Sequence, residues 1–309
     1  MEIKRLDKLE EVFQDDIDSI EKYIHCINKI KKILNKQPEV KRNQWKFCYR
    51  GDRADSNVQC TLFKNGFLET ENSMFQFWQD NCGIRNQGVC SCKHKGSLLC
   101  LAYMQHYCRW GTRLLDFSSD PLVALRFACG KDGQNEEKKV TMYITDFISA
   151  EEYHTKEDHF LQLVNSDLWI AEANRDIYED TFIEIEKPSF EEQADTRIER
   201  QKGIFLFMGN RKSVEETNPR HDRKVAHKLS ASVGRGKGYD GYVGVLKIAA
   251  SKVEKIRDEL DSTCKYNIHY LMNDKEEENE KSCAKCYLNQ ENKKWKCKGE
   301  CDDNRRIYE

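Results

Sequence analysis

The sequence predicts an α+β fold on three observations. Apolar runs short enough for strands recur at 46–49, 140–147, 181–186, 203–208 and 242–248. Helical patterns are mixed among them without strict strand–helix alternation, which disfavours a parallel doubly wound sheet. The third observation is a helix punctuated at both ends: Asp120 and Pro121 serve as N-cap and first helical position, and Gly130 closes it.

At the N-terminus, Leu6, Phe13, Ile20, Ile27 and Leu34 recur every seven residues, with Ile17 and Ile24 on an intermediate seam that Lys31 interrupts. One long helix ending before Pro38 is expected. Two readings of its stripe stay open. The helix docks on its own domain, or it pairs in a coiled-coil dimer, which needs roughly three to four clean heptads. The strand at 46–49 runs into Arg50-Gly51-Asp52, where the glycine permits a bend. Helices are expected over 96–107 and 161–173. The stretch 210–238 is basic and rich in glycine and reads as a flexible segment. Ser251 and Glu254 form a capping box for a helix over 252–260.

Composition narrows the function classes. Of 309 residues, 34% are charged, and Lys+Arg of 51 against Asp+Glu of 53 leaves a formal charge of -2, so global charge announces neither a nucleic-acid nor a membrane partner. The opening MEIKRLDKLEEVF carries charges throughout and is no secretory signal, and no apolar window reaches the roughly 18 residues of a spanning helix. A cytoplasmic location and no membrane partner are expected. In a reducing cytosol the 14 cysteines read as metal ligands or core residues rather than disulfides.

The run from Gln105 to Phe127 packs His106, Arg109, Arg113, Asp116 and Arg126 between apolar residues. Guanidinium groups grip pyrophosphate or carboxylate through two parallel hydrogen bonds and stay charged at any relevant pH. Arg50 and Arg113 are the candidate anion ligands. Arg113 and Asp116 have a second reading, as an ion pair pinning the turn, and His106 and Tyr107 one as ordinary packing residues.

Several segments together resemble the FRG domain family. They are Tyr49-Arg50-Gly51, Gln105-His106-Tyr107, Thr112 to Phe117, Pro121 with Ala124 to Ala128, and Arg197-Ile198 with Gln201 to Phe205. The family's Phe-Arg-Gly motif stands here as Tyr-Arg-Gly. The resemblance spans roughly 47–271 and gives an organisation of an N-terminal helical segment (1–45), an FRG domain (46–272) with a Cys-rich insertion (80–100), and a Cys-rich tail (273–309).

FRG domains are distantly similar to ADP-ribosyltransferases, above all the branch of toxins that modify DNA. That similarity implies a split, mainly antiparallel sheet with flanking helices, holding NAD as substrate. Carried over by residue, Tyr49, Arg50 and Gly51 would form the first anchoring motif, and His106, Tyr107, Thr112, Arg113 and Asp116 would line the nicotinamide and phosphate side. Arg50, His106 and either Glu199 or Gln201 would assist catalysis, the last two on one face if the segment is a strand. Breaking the nicotinamide–ribose bond creates an oxocarbenium-like centre, which a carboxylate stabilises better than an amide. The implied activity is ADP-ribosyl transfer or NAD hydrolysis. The implied acceptor is nucleic acid or protein, and the role that of a toxin or defence effector. The alternative is a nucleotide- or nucleic-acid-binding module with a non-catalytic cleft.

The cysteines add a second expectation. Cys283-x2-Cys286 and Cys297-x3-Cys301 are two close pairs with ten residues between them, a spacing suited to one structural Zn²⁺. Lys293, Lys294, Lys296 and Lys298 flank Trp295, a pointer to nucleic acid. Cys82, Cys90, Cys92 and His94 form a second candidate quartet, and Cys26, Cys48, Cys60, Cys108 and Cys129 read as small buried residues.

Overall fold

In the computed structural model, residues 12, 16–36, 40–41, 46–56, 59–64, 71, 73–75, 101–102, 104–105, 111–130, 136–145, 148–149, 181–184, 197–207, 227–233, 237–263, 265–272, 286–289 and 294–297 are described. Among them, eight strands share one sheet: β1 (Lys46–Arg53), β2 (Leu114–Ser118), β3 (Lys138–Thr145), β4 (Ile148–Ser149), β5 (Thr181–Glu184), β6 (Gly203–Phe207), β7 (His227–Val233) and β8 (Lys237–Ile248). Their order is β4-β5-β6-β2-β1-β3-β8-β7, and only β4 and β5 run parallel. β9 (Cys286–Asn289) and β10 (Lys294–Cys297) form a separate antiparallel hairpin. The α+β expectation therefore stands. The helices are α1 (Ile20–Leu34), α2 (Thr61–Lys64), α3 (Pro121–Cys129), α4 (Arg197–Arg200), α5 (Val253–Asp261) and α6 (Ile268–Met272). No helix among the described residues is long and apolar enough to cross a membrane.

The N-terminal stripe is not one continuous helix. Ile17 is bridged to Ile248 of β8 in extended backbone, and α1 starts afterwards, at an N-cap on Ser19 whose hydroxyl accepts from Lys22 N at 3.2 Å. A helix-start signal at Asp18-Ser19 thus prevails over the seven-residue repeat. Tyr23, Ile27, Ile30 and Leu34 are at most 1% exposed and belong to the chain's own core, so the apolar face that would seat a second helix is covered within the domain. Lys31 breaks the seam for a local reason. Its ammonium lies 5.4 Å from the Phe47 ring centroid and 5.6 Å from that of Tyr49, a cation–π placement on β1. Burial there lowers its pKa, partly opposed by Asp120.

Helix α3 lies against β1, with Ala124, Leu125, Ala128 and Cys129 in the same core as Val140, Met142 and Ile144 of β3. Its ends are as expected. Asp120 Oδ1 accepts from Leu122 N at 3.0 Å, Pro121 follows, and Gly130 closes the helix with φ 64°. Asp120 also accepts from Lys202 Nζ at 3.1 Å and from the Tyr266 hydroxyl at 3.4 Å, joining the start of α3 to the turn before β6 and to the C-terminal region. Burial and the Asp120 carboxylate push the Tyr266 phenol up. Asp120→Ala is expected to lower stability by about 1–2 kcal/mol, the upper range for lost N-caps, read as a lower urea midpoint at unchanged m-value. An unchanged midpoint would remove Asp120 from this role.

Other expectations need correction. Gly51 lies inside β1 rather than at a bend. Residues 210–238 were read as flexible, yet 227–233 form β7, paired with β8 from His227↔Val243 to Val233↔Lys237. The alternation of Leu229, Ala231 and Val233 with polar residues is a strand pattern that the surrounding glycines and basic residues obscured. No capping box forms at Ser251. A 3₁₀ turn, Ala250–Lys252, leads into α5, and Lys252 N donates to Ala249 O at 2.9 Å, so backbone replaces the side-chain cap. Leu101, Ala102, Met104 and Gln105 of the expected 96–107 helix are helical, whereas 161–173 lies outside the described residues.

Candidate functional site

β1 pairs along its length with β3, and β2 with β6, but β1 and β2 meet at one register position, Tyr49 opposite Ser118. Continued, that register would set Gly51 opposite Asp116. Instead, Arg50 Nη1 donates to the Asp116 carbonyl at 2.7 Å, a side chain standing in for a ladder hydrogen bond. A cavity of about 310 Å³ lies at this divergence, lined by β1 and β2, by Val123, Ala124 and Phe127 of α3, and by Gln105, Arg197, Gln201 and Met272. Its volume falls at the low end of small-ligand sites.

Apart from the Tyr49 hydroxyl, the polar side chains of the wall are held by neighbours. Arg50 Nε donates to Asp52 Oδ2 at 2.7 Å, which fixes the plane of the guanidinium. Thr112 donates to Gln105 Oε1 from its backbone N at 3.2 Å and its hydroxyl at 2.8 Å, and Gln105 Nε2 donates to Asp116 Oδ2 at 2.8 Å. That chain sets the Gln105 amide so that its donor meets the Asp116 carboxylate. Asp116 is the one half-buried position in an otherwise buried β2. Ser118 Oγ donates to the Gln201 carbonyl at 2.6 Å, and Gln201 Nε2 donates to Leu271 O at 3.0 Å. With its amide nitrogen engaged, what Gln201 offers a ligand is an acceptor oxygen. Arg197 reaches Met272 Sδ from Nη2 at 3.1 Å.

Of the residues selected from sequence, the fold brings Tyr49, Arg50, Gly51, Asp116 and Gln201 to the cavity. Tyr49 contributes mainly as core. It is fully buried, burial pushes its phenol up, and its hydroxyl has no hydrogen-bond partner among the described residues. Arg113 is elsewhere. It is fully buried, its Nε donates to Glu71 Oε1 at 2.7 Å and its Nη2 to Glu71 Oε2, and its guanidinium lies 5.8 Å from the Phe63 ring centroid. Its ion-pair partner is thus Glu71 rather than Asp116. Thr112 acts through Gln105 and is not in the lining.

Glu199 and Gln201 do not share a face. Residues 197–200 form a helical turn, with Gln201 N donating to Arg197 O at 3.0 Å, so a two-residue separation turns the side chains apart. Glu199 is not in the lining. His106 and Tyr107 lie outside the described residues, as do Cys82, Cys90, Cys92, His94, Cys108, Cys283 and Cys301.

Sequence reasoning passed over Gln105, Arg197 and Met272 as site residues. Arg197 carried a legible signal, one helical turn before Gln201, whereas Met272 carried none. Among the described residues no group of three or more His, Cys, Asp or Glu side chains could hold a metal ion. Cys26, Cys48, Cys60 and Cys129 are buried free thiols as expected, and burial pushes Cys129 up to about 11, which excludes a ready thiolate there.

Residues 16–137 match the FRG domain family model. The FRG match takes in Tyr49-Arg50-Gly51 and Thr112 to Phe117, and it supports the family assignment made on those motifs. It begins before α1, a helix the sequence reading had set apart within 1–45, and ends one residue before β3. The burial of α1 in the sheet's own core gives the physical reason for including it. No curated protein and no solved structure matches the chain.

Proposed function

We propose that the cavity binds the pyrophosphate–ribose part of NAD and that the protein transfers ADP-ribose to an acceptor or to water. One observation carries this reading: two guanidinium groups, Arg50 and Arg197, face the same cavity as one carboxylate, Asp116, and two amides, Gln105 and Gln201, where the sheet parts. Cationic forks suit a pyrophosphate, and an acceptor oxygen suits a ribose hydroxyl. The carboxylate that the chemistry asks for is then Asp116, not Glu199.

In the reaction, the bond between the anomeric carbon and the nicotinamide nitrogen breaks. Its electron pair leaves with the ring, which becomes neutral. Asp116 stabilises the positive charge developing on the ribose, a nucleophilic oxygen or nitrogen of the acceptor attacks the anomeric carbon, and its proton passes to solvent. Arg50 and Arg197 hold the diphosphate so that the ribose is presented in one orientation. Acceptors of the nucleic-acid and protein classes are the ones to assay.

The test is incubation of the purified chain with labelled NAD and a panel of DNA, RNA and protein acceptors, following both transfer and free nicotinamide. Arg50→Ala and Asp116→Asn are each expected to lower turnover by about 10²–10³, the usual effect of removing one preorganised electrostatic group. Equal turnover in folded variants and parent would defeat the proposal. A second reading, a binding module without turnover, is favoured by the engagement of Arg50 with Asp52 and of Gln201 with Leu271. Saturable NAD binding that Arg50→Ala abolishes, with no nicotinamide released, would select it.

A further inference from the structure

From the register of the C-terminal hairpin we infer a structural zinc site at its open end, held by Cys283, Cys286, Cys297 and Cys301. β9 and β10 pair from Lys294↔Asn289 to Cys297↔Cys286, so the two cysteines stand directly opposite each other at the end of the ladder where β9 starts and β10 stops. Opposed residues of an antiparallel pair have Cβ atoms about 4.5–5.5 Å apart, close enough for two sulfurs to share one ion. Cys283 precedes Cys286 by three residues and Cys301 follows Cys297 by four, so both are tethered to that same open end. Even fully extended chain limits them to within about 11 and 14 Å of it. The register thus sets one cysteine of each pair opposite one of the other, which spacing alone left open.

The segment also needs such a link. Two four-residue strands make a sheet of their own, apart from the eight-stranded one, and an isolated two-stranded hairpin is marginal in water. Around it, 273–285 and 298–309 are dominated by Lys, Arg, Asp, Glu and Asn, with too few apolar residues for a core. Four thiolates on Zn²⁺ couple metal binding to folding in just such small units. None of the four cysteines is among the lining residues described for the cavity, and the chemistry proposed for them is structural.

The measurement is zinc content per chain of the full-length protein, purified under reducing conditions, for the parent and for Cys283→Ser, Cys286→Ser, Cys297→Ser and Cys301→Ser. Each substitution is expected to lower bound zinc by about one equivalent while leaving the unfolding midpoint of the main domain unchanged. Comparison with the parent separates this ion from any held by Cys82, Cys90, Cys92 and His94. Should a variant aggregate, Co²⁺ added to metal-free parent protein is expected to give the intense absorption of a tetrahedral thiolate complex. Zinc content unaffected by all four substitutions, a metal-free parent with no such Co²⁺ spectrum, or a Cys286–Cys297 disulfide in place of metal would each overturn the site.

Discussion

Gly51→Ala is expected to destabilise the domain by about 3 kcal/mol or more, at or beyond the top of the usual overpacking range. A Cβ at 51 would stand 2.0 Å from the carbonyl oxygen of Ala124, 2.4 Å from the nitrogen of Ala128 and 2.9 Å from its Cα. All three are backbone atoms of α3, so no rotamer change relieves the clash, and the whole helix must lift. Lifting it would open the core that Ala124, Leu125 and Ala128 close over Val140 and Met142. For a domain of this size roughly 2–4 °C of midpoint is lost per kcal/mol, which puts the expected fall at about 6–12 °C or beyond. A variant melting within about 2 °C of the parent would mean that α3 does not sit this closely. The result also gives the motif a physical content. In Tyr49-Arg50-Gly51, alternate residues of one strand carry two duties: Tyr49 and Gly51 seat α3, and Arg50 between them reaches the Asp116 carbonyl across the gap to β2.

What could be read from the sequence was what is encoded within a few residues. Asp120-Pro121 and Gly130 announced α3 because capping is local, and apolar runs at 46–49, 203–208 and 242–248 announced β1, β6 and the second half of β8, while the polar residues 50–53 and 237–241 gave no such sign. The position of α1 in the core was legible only as one of two readings, since a stripe states that a face will be covered and not by what. The site fared differently. Arg50 could be picked out, but its partner Asp116 is 66 residues away, and the partner of Arg113, Glu71, is 42 away and had no distinguishing pattern around it. An isolated arginine looks the same in sequence whether it awaits a phosphate or neutralises a buried carboxylate. Glu199 and Gln201 were misplaced because a strand period was assumed where a single helical turn stands, and four residues are too few for either period to declare itself.

Arg113→Met is expected to cost about 3–5 kcal/mol, the penalty for removing one member of a buried ion pair. Both side chains are out of solvent, at 0% exposure for Arg113 and 6% for Glu71, so the substitution would take the guanidinium away from the Glu71 carboxylate in a medium that hydrates it poorly. Glu71→Leu alone is expected to cost a similar amount through the mirror-image defect. The double variant Arg113→Met/Glu71→Leu removes both charges and replaces them with apolar volume, and it is expected to regain most of the loss, giving a strongly favourable coupling in the double-mutant cycle. The same three proteins decide what Arg113 is for. If it acts on the architecture, the folded double variant should bind NAD as the parent does, because Thr112 next to it still orients Gln105, and Gln105 still holds Asp116 at the cavity. If it reaches the phosphates, the double variant should be stable and yet lose affinity tenfold or more, as Arg50→Ala is expected to. A stable double variant with that loss would return Arg113 to the ligand and refute the assignment of the anion-binding role to Arg50 and Arg197.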